Sequence, residues 1–182
     1  MTDEEIVRLV QLGEKEKYGE IVERYERQLL TYVRRLINQR EEEVEDLVQD
    51  VFISAYVNIQ GFDHKLKFSS WIYRIAHNKA IDYFKKKRIK NMVVIDEDNE
   101  EWLVKEEKLQ EALAIEEESR EKLKGMIEKL NVAYKDVIML YFFENKSYEE
   151  ISDILKIPTG NVGVNLMRAK KQLKKLLISN VK

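Results

Sequence analysis

The sequence predicts an all-α protein of two small helical domains joined by an acidic linker, and three features of its 182 residues carry that prediction. One proline and six glycines are present, so helix-breaking residues are scarce. Apolar residues recur mostly at intervals of three and four, the period of an amphipathic helix. Charge is divided along the chain: residues 1–60 hold 14 acids and 8 bases, 61–95 hold 2 and 9, 96–121 hold 12 and 3, and 122–182 hold 6 and 12. The net charge of -2 therefore hides two basic blocks with an acidic one between them. Such segregation builds fields of opposite sign on one molecule or, block by block, ordinary solvated helix faces.

The elements follow in order. Thr2 and Glu5 form a capping-box pattern that opens a short helix carrying Ile6, Val7 and Val10. From about 15 to 38, Tyr18, Ile21, Val22, Tyr25, Leu29, Val33 and Leu36 line one side of a second helix. A third, about 43–59, buries Val44, Leu47, Val48, Val51, Phe52 and Ala55, with Gly61 standing where it should end. "GFDHKLKFSSW", residues 61–71, breaks the period; helix resumes near Ser69 or Ser70, packs Trp71, Ile72, Ile75 and Ala76 inward and runs into the basic cluster Lys85–Arg88. These elements make a first domain, 1–90. Residues 91–120 are rich in acids and form the linker, helical in part from about 100.

The second domain, 121–182, opens with one helix carrying Leu123, Met126, Ile127 and Leu130 and another carrying Tyr134, Val137, Ile138, Leu140 and Tyr141. Ser147 is placed to cap the next helix, with Glu150 three residues on to return the bond. That helix buries Ile151, Ile154 and Leu155, and Ile157-Pro158 ends it and opens the last one. Val162, Leu166, Ala169, Leu173 and Leu176 give the last helix its buried stripe, which leaves Asn161, Val164, Asn165 and Arg168 facing outward.

Composition excludes several functions. There is no cysteine and there are two histidines, His64 and His77, so disulfides and thiolate chemistry are absent and a histidine-rich metal site is not indicated. No stretch of about 18 apolar residues occurs, and the acidic opening "MTDEEIVRLV" lacks a signal-peptide pattern, so a cytoplasmic protein without direct membrane insertion is expected. Asp46 and Asp50 are paired carboxylates, but no pocket-forming loop, metal ligand or activated nucleophile accompanies them, so the chain does not read as an enzyme and calls for no cofactor.

What remains is binding. Two short helices joined by a tight turn, 147–157 and the helix from Pro158, form the pattern that sets a recognition helix in a major groove, although such pairs also occur in protein-binding bundles. Lys170, Lys171, Lys174 and Lys175 beyond it can reach phosphates without reading sequence. Asp46, Gln49, Asp50 and Ile53 share the outer side of the third helix, either a protein contact or a wet face. In the fourth helix, Arg74, His77, Asn78, Lys79 and Asp82 surround an apolar stripe, with Tyr83, Phe84 and the lysines beyond, a mixture suited to unstacked bases and their phosphates.

Four segments carry a close resemblance to a known family: "YGEIVERYERQLLTYVRRLI", "VEDLVQDVFISAYVNIQGF", "KFSSWIYRIAHNKAIDYFKKKR" and "YKDVIMLYFFENKSYEEISDILKIPTGNVGVNLMRAKKQL". In this order and spacing they resemble the extracytoplasmic-function class of bacterial RNA polymerase sigma factors, in the sigma-70 superfamily. The resemblance implies a region 2 domain and a region 4 domain without a full region 3 between them. It implies that Asp46, Gln49, Asp50, Phe52 and Ile53 dock on core RNA polymerase, a partner with beta and beta-prime subunits. It implies that the loop 61–70 with Phe68, Arg74, Asn78, Asp82, Tyr83 and the run Lys85, Lys86, Lys87 and Arg88 recognises and melts the promoter -10 element. For -35 DNA it implies Ser147, Tyr148, Thr159, Asn161, Val164, Asn165, Arg168 and Lys171. An anti-sigma factor is a further partner that the resemblance implies, and the acidic linker resembles the segment that threads the RNA-exit channel.

The recognition helix departs from the family. Members often read "GTVKSRL.RAR" where this chain reads "GNVGVNLMRAK": Gly163 stands for lysine, Val164 for serine and Asn165 for arginine. Fewer charge-assisted contacts follow, and Gly163 costs the helix about 1 kcal/mol relative to alanine unless a close approach compensates. Two rivals stand beside a sigma factor: a dimeric helix-turn-helix regulator that never joins polymerase, and a sigma-like adaptor without productive -35 recognition.

Overall fold

A computed structural model describes residues 1–90, 125–127 and 129–179, with side chains given except at 87–90, 178 and 179. Every regular element among the described residues is helical, and the chain divides into two compact units. The linker 91–120 and Leu123 lie outside the described residues.

The first unit is built from α1 (Asp3–Gln11), α2 (Tyr18–Ile37), α3 (Glu41–Val57) and α4 (Phe68–Lys90), with single 3-10 turns at Lys15–Lys17 and Ile59–Gly61. The expected capping box opens α1: Thr2 accepts from the Glu5 backbone and Glu5 accepts from the Thr2 backbone. One stripe per helix meets in the core, with Ile6, Val7, Ile21, Leu29, Val33, Val44, Val51, Ala55, Ile72 and Ala76 wholly enclosed. Each such aliphatic side chain larger than alanine contributes roughly 1.5–3 kcal/mol by leaving water, before the entropy of ordering is charged against it. Tyr18 ties α2 to α3 by donating its hydroxyl to the Phe52 carbonyl at 2.7 Å.

Two boundaries differ from the sequence expectation. Gly61 does not end the third helix, which stops at Val57. Asn58 closes it by giving both its side-chain amide and its backbone N–H to the Ser54 carbonyl, so no left-handed glycine is needed. The fourth helix begins at Phe68 rather than Ser69 or Ser70, because a carboxylate from α1 accepts the Phe68 N–H.

The second unit comprises a helical turn at 125–127, α5 (Val132–Ile138), a π-helical turn (Met139–Phe143), α6 (Tyr148–Leu155) as far as Ser152, and α7 (Thr159–Ser179). Asn131 caps α5 by accepting from the Tyr134 N–H at 2.9 Å. Ser147 and Glu150 make the reciprocal capping bonds foreseen for α6, at 3.2 and 2.9 Å. Met126, Ile127, Val137, Leu140, Ile151, Val162, Leu166, Ala169 and Leu173 form its core; Ile154 is buried too, while Leu176 is only half-buried. The α6–α7 turn is held by Ser152, whose hydroxyl donates to the Ile157 carbonyl at 2.6 Å, and it requires Lys156 to take a left-handed φ of 56°.

Candidate functional site

Three surfaces gather the residues singled out by the sequence. On α3 the inward stripe leaves Asp46, Gln49, Asp50 and Ile53 exposed, and Ile53 retains 60 % of its surface. A cleft between α2 and α3 adjoins them, lined by Val22, Glu26, Leu30, Glu45, Val48, Gln49, Phe52 and Ile53. An exposed branched aliphatic among carboxylates and an amide is a docking surface in composition, since burial of Ile53 supplies area and the acids supply direction. Asp50 lies 3.9 Å from Lys79, an exposed pair that holds neither side chain firmly. Phe52 is largely buried, 8 % exposed, yet it lines that cleft beside Gln49 and Ile53.

The second surface joins the 62–67 loop to α4. Asp63 folds the loop locally, accepting from Lys65 N–H through its carboxylate and from Leu66 N–H through its carbonyl. Beneath lies an aromatic cluster in which the Phe62 and Phe68 rings meet edge to face at 5.5 Å, and both rings contact Trp71. Phe68, expected to touch DNA, is 0 % exposed, and its ring is core. His77 is also core: burial pushes its imidazole down to about 4, leaving it neutral, with Nδ1 3.5 Å from the Tyr32 hydroxyl. Asn78, Asp82, Lys85 and Lys86 are exposed, Arg74 and Tyr83 are half-buried, and Asp82 sits 3.5 Å from Lys85. The side chains of Lys87 and Arg88 lie outside the described residues.

The third surface is the helix pair α6–α7. Ser147, Thr159, Asn161 and Val164 are exposed, and Tyr148, Asn165 and Lys171 are half-buried. Tyr148 packs its ring on Tyr141 and lies over Gly163, where an added Cβ would stand 3.5 Å from Cε2. Arg168 departs from the outward position expected of it: it is half-buried, and its Nε is enclosed without a hydrogen-bond partner among the described residues. Behind this face Asp136 on α5 is buried, and burial pushes its carboxyl up to about 7. Lys170 lies over the Phe142 ring at 5.4 Å, so one of the tail lysines is drawn to an aromatic face.

Two residues that the sequence gives no reason to single out also bear on the second surface. Glu4 accepts the Phe68 N–H, and Gln11 donates to the Ile59 carbonyl, across 64 and 48 residues of chain. The one local signal is Lys67, a side chain without an acceptor at the position where a helix usually finds its cap.

Among the described residues no helix is long and apolar enough to cross a membrane. Comparison with known proteins agrees with the architecture. Residues 21–89 match the family described as Sigma-70 region 2, and residues 120–173 match Sigma-70, region 4. The chain is 33 % identical over 177 residues to the ECF RNA polymerase sigma factor SigW of Bacillus subtilis (strain 168), covering 94 % of each. It is 31 % identical over 179 residues to the ECF RNA polymerase sigma-E factor of Escherichia coli (strain K12), covering 95 % of this chain and 93 % of that one. Among solved structures, CnrH in complex with the cytosolic domain of CnrY shares the fold with a TM-score of 0.72 at 24 % identity over 97 % of both chains. The sigma factor RpoE of Bartonella quintana, crystallised with the anti-sigma factor NepR, does so at 0.65 and 19 % identity over 88 % of this chain and 96 % of its own. Sigma factors are not enzymes; with both regions matched and more than nine-tenths of each relative covered, the chain belongs to the extracytoplasmic-function sigma factors of the sigma-70 family, which bind RNA polymerase and act in transcription initiation.

Proposed function

We propose that this sigma factor docks core polymerase through the α3 face, reads and melts the -10 element with the 62–67 loop and α4, and selects the -35 element with α6 and α7. The observation that carries the reading is the division of labour in the first unit: α3 exposes Ile53 among acids, whereas α4 exposes Asn78, Asp82, Lys85 and Lys86. An acidic, partly apolar face repels DNA and suits protein, while the amide, carboxylate and lysines of α4 suit an unpaired base and its phosphates. The beta-prime and beta subunits of the core enzyme are the partners of the α3 face and of the neighbouring cleft.

At -10, a base leaving the duplex loses stacking that a protein pocket must replace. The loop beside Asp63 and Leu66 offers that place, with Arg74, Asn78 and Tyr83 along α4 and the run to Arg88 on the backbone phosphates. At -35, the exposed Asn161 amide pairs with adenine edges and Val164 meets a thymine methyl, with Asn165 and Lys171 beside them. Arg168, with its Nε enclosed, serves the fold more than the groove. Recognition there rests on amides and a methyl contact, and weakens less steeply with salt than a charge-rich helix would.

The factor works in the cytoplasm, where its polymerase is, and an anti-sigma protein that covers the α3 face keeps it inactive; the RpoE structure of the same fold is a complex with an anti-sigma factor. Promoter-directed transcription with purified core polymerase tests the whole reading. Specific initiation above core alone, across a promoter library, is the expected result, and no gain refutes it. The helix-turn-helix regulator predicts dimers on palindromic DNA and indifference to Ile53. The adaptor, motivated by Gly163, Val164 and Asn165, predicts initiation that ignores the -35 sequence.

A further inference from the structure

We propose that α1 is a positioning element for promoter opening, with Glu4 and Gln11 setting the conformation of the -10 loop and the start of α4. The inference rests on the reading that this loop captures the -10 base. Its basis is a set of hydrogen bonds that run from one short helix to both ends of the loop.

At the far end, α4 follows a residue whose own side chain cannot cap it. The Lys67 carbonyl accepts the first helical bond, from Trp71 N–H at 3.2 Å, so Lys67 occupies the cap position, and a lysine side chain can only donate. Glu4 supplies the missing acceptor: its Oε1 takes the Phe68 N–H at 2.9 Å. A carboxylate there also complements the positive end of the helix dipole. The cap that ordinarily comes from the adjoining residue thus comes from another helix, and it fixes where the loop stops and α4 begins.

At the near end, Gln11 holds the loop with both side-chain polar groups and its backbone carbonyl. Its amide nitrogen donates to the Ile59 carbonyl at 2.7 Å and, more weakly, towards Phe62 at 3.4 Å. Its side-chain oxygen lies 2.7 Å from His64 Nε2, which must then carry the proton, and its own carbonyl accepts from the Gln60 amide at 3.2 Å. The helix that provides these groups is itself anchored: Ile6 and Val7 are wholly buried, and Asp3 accepts from Arg24 at 2.8 Å and from the Tyr25 hydroxyl. A loop that must receive a base is therefore clamped at entry and exit by a rigid support. Glu4 and Gln11 touch no DNA in this scheme; they act through the loop.

The test uses the full chain carrying Glu4→Ala or Gln11→Ala, with and without core polymerase. Amide exchange at 60–68 should quicken about fivefold or more, the Phe68 amide most in Glu4→Ala. Promoter opening, followed by 2-aminopurine fluorescence at -10, should slow about tenfold and its base preference flatten, with core affinity and -35 preference unchanged. Adding Lys67→Ser to Glu4→Ala puts a local cap back and should restore opening, which a general loss of stability would not allow. Exchange that does not change, or opening and preference that stay at wild type while exchange quickens, overturns the proposal. Asn78→Ala and Asp82→Ala separate the two levels. If they alter -10 preference while Glu4→Ala and Gln11→Ala do not, the clamp alone is wrong; if none of the four alters it, the -10 reading falls and the clamp with it.

Discussion

Gly163 invites the most direct perturbation, Gly163→Ala. The residue lies inside α7, half-buried, with an ordinary helical φ, so its backbone gains nothing from glycine. Glycine in a helix interior costs about 1 kcal/mol relative to alanine, chiefly in the entropy of ordering the chain. The new Cβ would stand 3.5 Å from Tyr148 Cε2, an ordinary van der Waals separation, so the methyl enters contact without displacing the ring. Both effects have the same sign, and the second unit should gain about 1 kcal/mol. Hydrogen exchange of the α7 amides in the full chain reads this locally: protection should rise about fivefold. Exchange as fast as in the parent, or faster, would mean that the ring and the recognition helix are already in tight apposition, and the argument from space would be refuted. Promoter binding supplies a second readout. A more stable α7 that binds -35 DNA less well would show that glycine is kept there for a close approach of backbone to DNA.

The other predictions concern the turn, the buried titratable groups and the docking face. Lys156 takes a left-handed φ of 56°, so Lys156→Gly should raise stability by about 1 kcal/mol in urea unfolding, and a loss would show that the lysine side chain holds the turn. The two units should respond to pH in opposite senses. Asp136 is raised by burial from 3.8 to about 7, so its contribution is full below the unfolded value and is lost as pH rises through 7, on the order of 4 kcal/mol in all. His77 is lowered by burial from 6.5 to about 4, so its contribution is full above 6.5 and is lost as pH falls through 4, on the order of 3 kcal/mol. Exchange protection of α7 should therefore fall, and that of α4 rise, between pH 5 and 7; Asp136→Asn and His77→Gln should each flatten the corresponding trend. Ile53→Asp, at a side chain 60 % exposed, should change stability by no more than about 0.5 kcal/mol yet cut core-polymerase affinity about tenfold in a binding titration; equal affinity would remove Ile53 from the docking face.

Much of the architecture could be read from periodicity, because an amphipathic stripe is a local property. The stripes of α2, α3 and α7 appear inside as expected through Ile21, Leu29, Val44, Val51, Val162 and Leu166, and both capping boxes close between residues three apart. Ile53 was likewise visible as the apolar residue on the wrong side of its helix. Phe68 was not. A phenylalanine in a polar loop beside lysines looks available, and only the approach of Tyr25, Phe62 and Trp71 encloses it. Arg168 follows the helical outer face by spacing, but the depth to which its guanidinium stem sinks depends on neighbours that spacing does not name.

Local sequence thus determined what short-range physics controls: the helices, their buried faces, the caps made within one turn and, through the order of motifs, the family. Tertiary structure decided what depends on groups far apart in the chain. Asp136 and His77 lose their ordinary acidities through burial, and the start of α4 is set by a carboxylate 64 residues away. The physical reason is common to all three. A backbone N–H, a carbonyl or an ionisable group must find a partner or a solvent, and which one it finds is settled only when the helices have packed.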